Sequence, residues 1–141
     1  MNAPTQDLRL PIEATPGASI SVRDLSVTYP NGFAAVRDAS FGPTIMVGLG
    51  GTIAEAIKDT TTRIAPISTV EAEEMLNELT GSALLDGWRG SPRLDRSALA
   101  QTIVRLAAVL DGQPEIVEIE INPLRVYPNG VSALDALIAI R

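Results

Sequence analysis

The chain has 141 residues, 45% hydrophobic but only 4% aromatic, and its 11 Lys+Arg against 17 Asp+Glu give a net charge of −6. That length suffices for one compact domain with a modest core of Ala, Val, Ile and Leu, and the acidic balance disfavours nucleic acid and anionic membranes as partners. With no Cys and no His, disulfides, thiolate nucleophiles, zinc–thiolate sites, Ser-His-Asp triads and phosphohistidine chemistry by these residues are all excluded.

A mean hydropathy of +0.18 argues against disorder over most of the length. No apolar run approaches the ~20 residues of a membrane span, and Met1–Ser19 lacks the apolar stretch of a signal peptide, so a cytoplasmic location is expected. Residues 1–18, with Pro4, Pro11, Pro16 and Gly17, read as a flexible tail. From Ile20 to Tyr29 apolar residues alternate as in strands, Pro30-Asn31-Gly32 signals a turn, and Ala34–Phe41 reads as a returning strand.

Thr44–Val47 is a short apolar run ahead of Gly48-Leu49-Gly50-Gly51. Those glycines could cradle phosphate through backbone amides or simply make a tight turn. In Ile53–Ile67 the run Thr60-Thr61-Thr62 disfavours a continuous helix and predicts two short strands around Asp59. Ser68-Thr69-Val70-Glu71 is a capping box opening a helix to about Leu79, with Gly81 as its stop. Trp88 and the Asp86-Gly87 turn read as packing and loop geometry. A second helix is expected from Asp95, with Leu99, Ile103, Leu106, Ala107 and Leu110 on one face, ending before Gly112.

The last segment predicts a hairpin. Val117, Ile119 and Ile121 alternate with Glu118, Glu120 and Asn122, and after Tyr127-Pro128-Asn129-Gly130 the chain returns as Val131–Ile140. If Pro128-Asn129 form the turn, Asn122 lies opposite Asp135; if Asn129-Gly130 do, the two are diagonal. Either register puts both side chains on one face, ~4.5–8 Å apart, with Glu120 one step further along. Such a cluster of hard oxygens suits Mg²⁺. A solvated polar face explains the alternation too, but Asp135 sits inside an otherwise apolar stretch.

Glu120-Ile121-Asn122-Pro123-Leu124, followed by Leu134-Asp135-Ala136, resembles the metal-binding hairpin of the ATP-grasp domain in NDP-forming acyl-CoA synthetases. Met46-Val47-Gly48-Leu49-Gly50-Gly51, Lys58-Asp59, Arg63 with Ala65-Pro66, Leu84-Leu85-Asp86-Gly87 and Arg89-Gly90 match the same family in order, over residues 42–141. The resemblance implies an α+β fold of mostly antiparallel sheet with two main helices. It also implies Mg²⁺ with ATP or ADP, held by Asn122, Asp135 and the adjacent Glu120, and nucleotide contacts at Gly48, Gly50 and Gly51; no catalytic residue is implied.

Three departures qualify the resemblance. Neither the N-terminal ATP-grasp subdomain nor the CoA-binding domains have a counterpart here, and Leu137 stands where many relatives carry a basic residue. A complementary ATP-grasp or CoA-binding subunit is therefore the expected partner, and a homo-oligomer stays open. Residues 19–41, with Val27-Thr28-Tyr29 and Val36-Arg37-Asp38, resemble the opening strands of an ABC-transporter ATPase, yet no P-loop lysine follows. The alternatives are a non-catalytic module completed by a partner chain and a truncated ABC-type ATPase.

Overall fold

Runs rich in Thr, Val and Ile, which favour the pleated surface, form seven strands in a computed structural model that describes residues 32–38, 42–50 and 59–141. The flexible tail, the strand expected over Ile20–Tyr29, and Phe41, Gly51 and Lys58 lie outside the described residues. Strands β1 (Gly32–Asp38), β2 (Gly42–Gly48) and β3 (Thr60–Ile64) are followed by helices α1 (Thr69–Glu78) and α2 (Arg96–Gly112). Then come β4 (Ile116–Ile121), β5 (Leu124–Tyr127), β6 (Gly130–Ala133) and β7 (Ala136–Ile140). The order β3-β2-β1-β4-β7 makes one antiparallel five-stranded sheet, and β5-β6 a separate two-stranded one. This is the α+β architecture expected.

Both helices cover the same face of the large sheet. Ile45 and Val47 of β2 and Ile119 and Ile121 of β4 point inward, against Leu99, Ile103, Ala107 and Leu110 of α2, and Met75 and Leu76 of α1 complete the core. Burial of such side chains, worth about 1.5–3 kcal/mol each, supplies the main driving force. The other face has no helix among the described residues. Thr44 and Met46 of β2, Thr62 and Ile64 of β3, and Glu118 and Glu120 of β4 share it by register. Met46 is 41% and Ile64 56% exposed there, an apolar content unusual for a face turned only to water.

Helix α1 begins as expected. The Ser68 hydroxyl accepts from Glu71 N at 3.2 Å while the Glu71 carboxylate accepts from Ser68 N at 2.7 Å, a reciprocal capping box. Its end falls where expected, at about Leu79, but Gly81 is not what stops it. The helix closes at Leu79 in extended conformation, and Gly81 is not a left-handed cap. A Cβ on Gly81 would lie 2.1 Å from Leu49 Cδ1, so a side chain there would displace the Leu49 methyl, while the backbone angle itself does not call for glycine. Helix α2 is capped by Asp95, whose carboxylate accepts from Ala98 N at 2.9 Å, and it includes Gly112 instead of stopping before it. Trp88 does not pack inside: it is 53% exposed, with Arg89 stacked 5.8 Å from its ring centroid. The loop geometry stands, since Gly87 adopts φ +92°.

Arg96 ties these pieces together, a role the sequence pattern did not signal. It donates to Asn77 Oδ1 at 2.6 Å and lies within 3.7 Å of Glu73 and 3.5 Å of Asp86. Arg63 pairs with Glu78, and that hydrogen bond holds its pKa above the ordinary value.

The capping box makes a pH-dependent prediction. Hydrogen bonds from Ser68, backbone first and hydroxyl second, hold the Glu71 carboxyl below its ordinary pKa of 4.5. A depressed folded-state pKa contributes stability that is present above the unfolded value and lost as pH falls through the folded one. Glu71→Ala should therefore lower Tm at neutral pH, and the gap from wild type should close in acid below the carboxylate range. Ser68→Ala should cost about 1 kcal/mol at neutral pH. A Glu71→Ala gap that stays constant down to that acid range contradicts the assignment.

Candidate metal and nucleotide site

The hairpin adopts the first of the two registers. Tyr127 pairs with Gly130 across a two-residue Pro128-Asn129 turn, and the same pairing continues through Leu124–Ala133. Beyond the interruption it resumes unchanged, with Ile121 opposite Ala136 and Glu120 opposite Leu137. Asn122 and Asp135 therefore face one another, and Asn122 N donates to the Asp135 carbonyl at 3.2 Å.

The expectation of one continuous hairpin needs correcting at this point. Leu134 N donates to the Pro123 carbonyl at 3.0 Å, directly beside the Asn122–Asp135 pair. A regular antiparallel ladder makes hydrogen bonds only at alternate pairs. Two adjacent bonded pairs reverse the phase of the pleat, so the inward set changes from Ile119 and Ile121 to Leu124 and Val126. The Asn122–Pro123 peptide at this crossing is cis. The hairpin consequently divides between two sheets, and its outer half is held by Asp95 N donating to the Tyr127 carbonyl at 2.8 Å.

Asn122 and Asp135 stand at the last position of the large sheet before this crossing. Opposite residues on neighbouring strands carry Cβ atoms about 4.5–5.5 Å apart, and Glu120 is diagonal to Asp135 at about 7–8 Å. Asn122 is exposed, while Glu120 and Asp135 are half-buried. Asp135 Oδ1 accepts from Ala136 N at 2.9 Å, which orients the carboxylate. Among the described residues no three His, Cys, Asp or Glu side chains form a metal-holding group. The set is instead two carboxylates and one amide, all oxygen donors, which fits a Mg²⁺ ion that completes its shell with water and phosphate oxygens.

The glycine segment lies in the same row of the sheet. Gly48 pairs with Gly32 on one side and Thr60 on the other, and Gly32 is one step beyond Phe33, which pairs with Ile121. Row by row this sets Thr60, Gly48, Gly32, Asn122 and Asp135 across the sheet. At the usual spacing between strands Gly48 is about 10 Å from Asn122. Gly48 itself is inside β2, where an added Cβ would come 2.7 Å from Thr60 Cγ2 and 3.2 Å from the Asp59 carbonyl. Packing therefore explains this glycine. Gly50 follows the strand's end, half-buried.

Asp59 holds this segment in place. Its carboxylate accepts from Thr80 N at 2.8 Å and Gly81 N at 2.9 Å, while its carbonyl accepts from Leu49 N at 3.1 Å. One residue thus joins the glycine segment to the loop after α1. The Lys58-Asp59 pair was visible in the sequence, but a contact across 21 positions has no local signature. Leu49 also borders a groove of about 460 Å³ lined by Leu84, Leu94, Leu124, Val126 and Tyr127.

Two helices layered on an antiparallel sheet, with a glycine segment beside an acid–amide hairpin, make an α+β domain. Residues 32–140 match the ATP-grasp domain family, and the chain belongs to it. The match begins at Gly32, ten residues ahead of Gly42, so β1, including Val36-Arg37-Asp38, lies within it. Among curated relatives, the beta subunit of ADP-forming acetate–CoA ligase I of Pyrococcus furiosus is 42% identical over 101 residues, covering 72% of this chain and 44% of that protein. An ADP-forming acetate–CoA ligase I of Archaeoglobus fulgidus is 39% identical over 99 residues, 14% of its length. The chain thus spans less than half of these relatives. Among solved structures, acetyl-coenzyme A synthetase 1 of Ca. Korarchaeum cryptofilum, in complex with coenzyme A and Mg-AMPPCP, superposes with a TM-score of 0.75 at 34% identity, covering 91% of this chain and 55% of that one.

Removing the Asp59 carboxylate leaves two backbone N–H groups without their charged acceptor. Asp59→Ala should cost about 1.5–3 kcal/mol, and Gly48→Ala about 1–3 kcal/mol through overpacking against β-branched Thr60. Urea unfolding at constant m-value measures both. A Gly48→Ala protein as stable as wild type contradicts the packing explanation of that glycine.

Proposed function

We propose that this chain is the metal-binding part of an ATP-grasp domain serving an ADP-forming acyl-CoA synthetase, and that it binds Mg²⁺ together with ATP or ADP. The observation that carries this reading is the register: it aligns Asn122 and Asp135 face to face and in one row with the glycine segment. Asn122 Oδ1 and the Asp135 carboxylate would hold the ion, with Glu120 beside them. When bound, Mg²⁺ neutralises phosphate charge and positions the phosphates. A chain of net charge −6 needs that neutralisation before a polyphosphate can approach. The backbone amides near Gly50 and Gly51 are the second source of favourable potential.

The parent reaction is acyl-CoA + ADP + phosphate ⇌ carboxylate + CoA + ATP, acid–thiol ligation run in either direction. Its substrates belong to the whole enzyme. These 141 residues contain no His, so a phosphohistidine, which the Ca. Korarchaeum cryptofilum enzyme possesses, must come from another polypeptide segment. The exposed Met46 and Ile64 on the helix-free face give that companion a surface to rest on, closing the nucleotide off from water. A cytoplasmic setting agrees with this chemistry.

Thermal shift with Mg²⁺–ADP tests the site. Wild type should gain stability only when both metal and nucleotide are present. Asp135→Asn removes one charge at nearly constant shape and should abolish the gain; Asn122→Ala, losing a neutral ligand, should reduce it less. An undiminished nucleotide shift in Asp135→Asn sinks the site.

A further inference from the structure

We propose that β7 is a homodimer interface, at which the free edges of two copies pair antiparallel about a two-fold axis at Ile138. Strand β7 ends the sheet order, so one of its sides has no strand partner among the described residues. The ladder shows which groups face that side. Asp135 accepts from Asn122, and Arg141 N donates to the Glu115 carbonyl at 3.0 Å, so odd-numbered residues bond inward. The N–H and C=O groups of Ala136, Ile138 and Ile140 are directed outward. The Ala136 N–H bears this out, since its acceptor is the Asp135 side chain and not a strand.

This edge lacks the usual protections against pairing. Ala136–Ile140 contains no charge and no proline, and the only irregularity of the β4–β7 ladder is on the inner side, between Ile116 and Glu118. The opposite edge, β3, carries Arg63 paired to Glu78. Ile138 is 51% exposed although it stands opposite Ile119, which is 5% exposed. The helix layer stops short of it.

A second copy is the occupant that fits. Turning β7 about Ile138 sets Ala136 opposite Ile140 and Leu137 opposite Ala139, and it sets Asp135 of each copy opposite Arg141 of the other. Two opposite-charge pairs thus close the ends of an uncharged strand, in a protein whose net charge of −6 otherwise repels a second copy. The carboxylate has two oxygens, so this pairing does not preclude a metal at Asp135. Self-pairing of β7 also closes on itself, whereas β7 on β3 is head-to-tail and stays open. Both Ile138 side chains then meet on the helix face, in the gap between the two helix layers.

The chain has no Cys, so Ile138→Cys gives an unambiguous cross-link. A hydrogen-bonded antiparallel pair places its Cα atoms about 5.5 Å apart, within the disulfide range. Mild oxidation should yield a covalent dimer from Ile138→Cys and none from Ile64→Cys on the other edge. In sedimentation from about 1 to about 200 µM, wild type should show a monomer–dimer equilibrium that Ile138→Lys weakens by at least about tenfold at unchanged Tm. Arg141→Glu, exposed and outside the core, should weaken it in the same direction if Ile138→Lys does not fold. A wild-type monomer throughout that range, equal cross-linking at positions 64 and 138, or a dimer indifferent to both substitutions overturns the proposal.

Discussion

The adjacent hydrogen bonds at Asn122–Asp135 and Pro123–Leu134 are the constraint on which the rest of the arrangement depends. They reverse the pleat between Ile121 and Leu124. Without that reversal, a hairpin with Ile119 and Ile121 inward would carry Arg125 inward and turn Leu124 and Val126 to solvent. With it, both halves bury their aliphatic side chains, and the sheet ends abruptly at the Asn122–Asp135 pair. A polar pair at a sheet's last position escapes the helix layer and avoids the ladder's next row. The same backbone feature therefore satisfies the core and presents the oxygen donors.

A sheet covered on one face only is marginal unless its other face is polar or covered. Here the open face mixes Glu118, Glu120 and Thr62 with Met46 and Ile64. The acids cluster on the β4 side, next to Asn122 and Asp135, and Met46 and Ile64 lie on the β2–β3 side. This gradient suits the open face to the two roles proposed for it, a charged ligand on the β4 side and a second protein layer on the β2–β3 side. On the helix side the design is different. Asp59, Arg96 and Asp95 act as clasps, each linking elements far apart in sequence, so that small aliphatic side chains without aromatic bulk can pack closely.

The parts legible in the sequence were those with a short-range cause. The capping box and the period of α2 each depend on residues within a few positions, and either two-residue turn left open within Pro128-Asn129-Gly130 put Asn122 and Asp135 on one face; the structure selects the first. The acid–amide pair was legible for the same reason. The phase reversal was not, because strict alternation assigns Leu124 to the wrong face; the proline at 123 was the signal, since it cannot donate to a ladder. Gly81 looked like a helix stop, yet it lies against Leu49 without a left-handed backbone, and Arg96, which the sequence pattern did not single out, meets partners on α1 and the following turn. Contacts spanning roughly 20–30 residues leave no local pattern. The place of β1 was hidden for the same reason: it is a central strand of the sheet, and its pairing with β4 joins residues some eighty positions apart.

The most direct test of this account is paramagnetic mapping with Mn²⁺ in place of Mg²⁺, in the presence of ADP, read on the backbone amides of the full chain. Relaxation by a bound ion falls steeply with distance, so the broadened amides locate the metal without reference to activity. The account predicts broadening centred on Asn122, Asp135 and Ala136, weaker at Glu120 and Gly50, and absent from the outer turns of α1. Broadening centred on the acidic α1 residues Glu71, Glu74 and Glu78, with the hairpin unaffected, contradicts it.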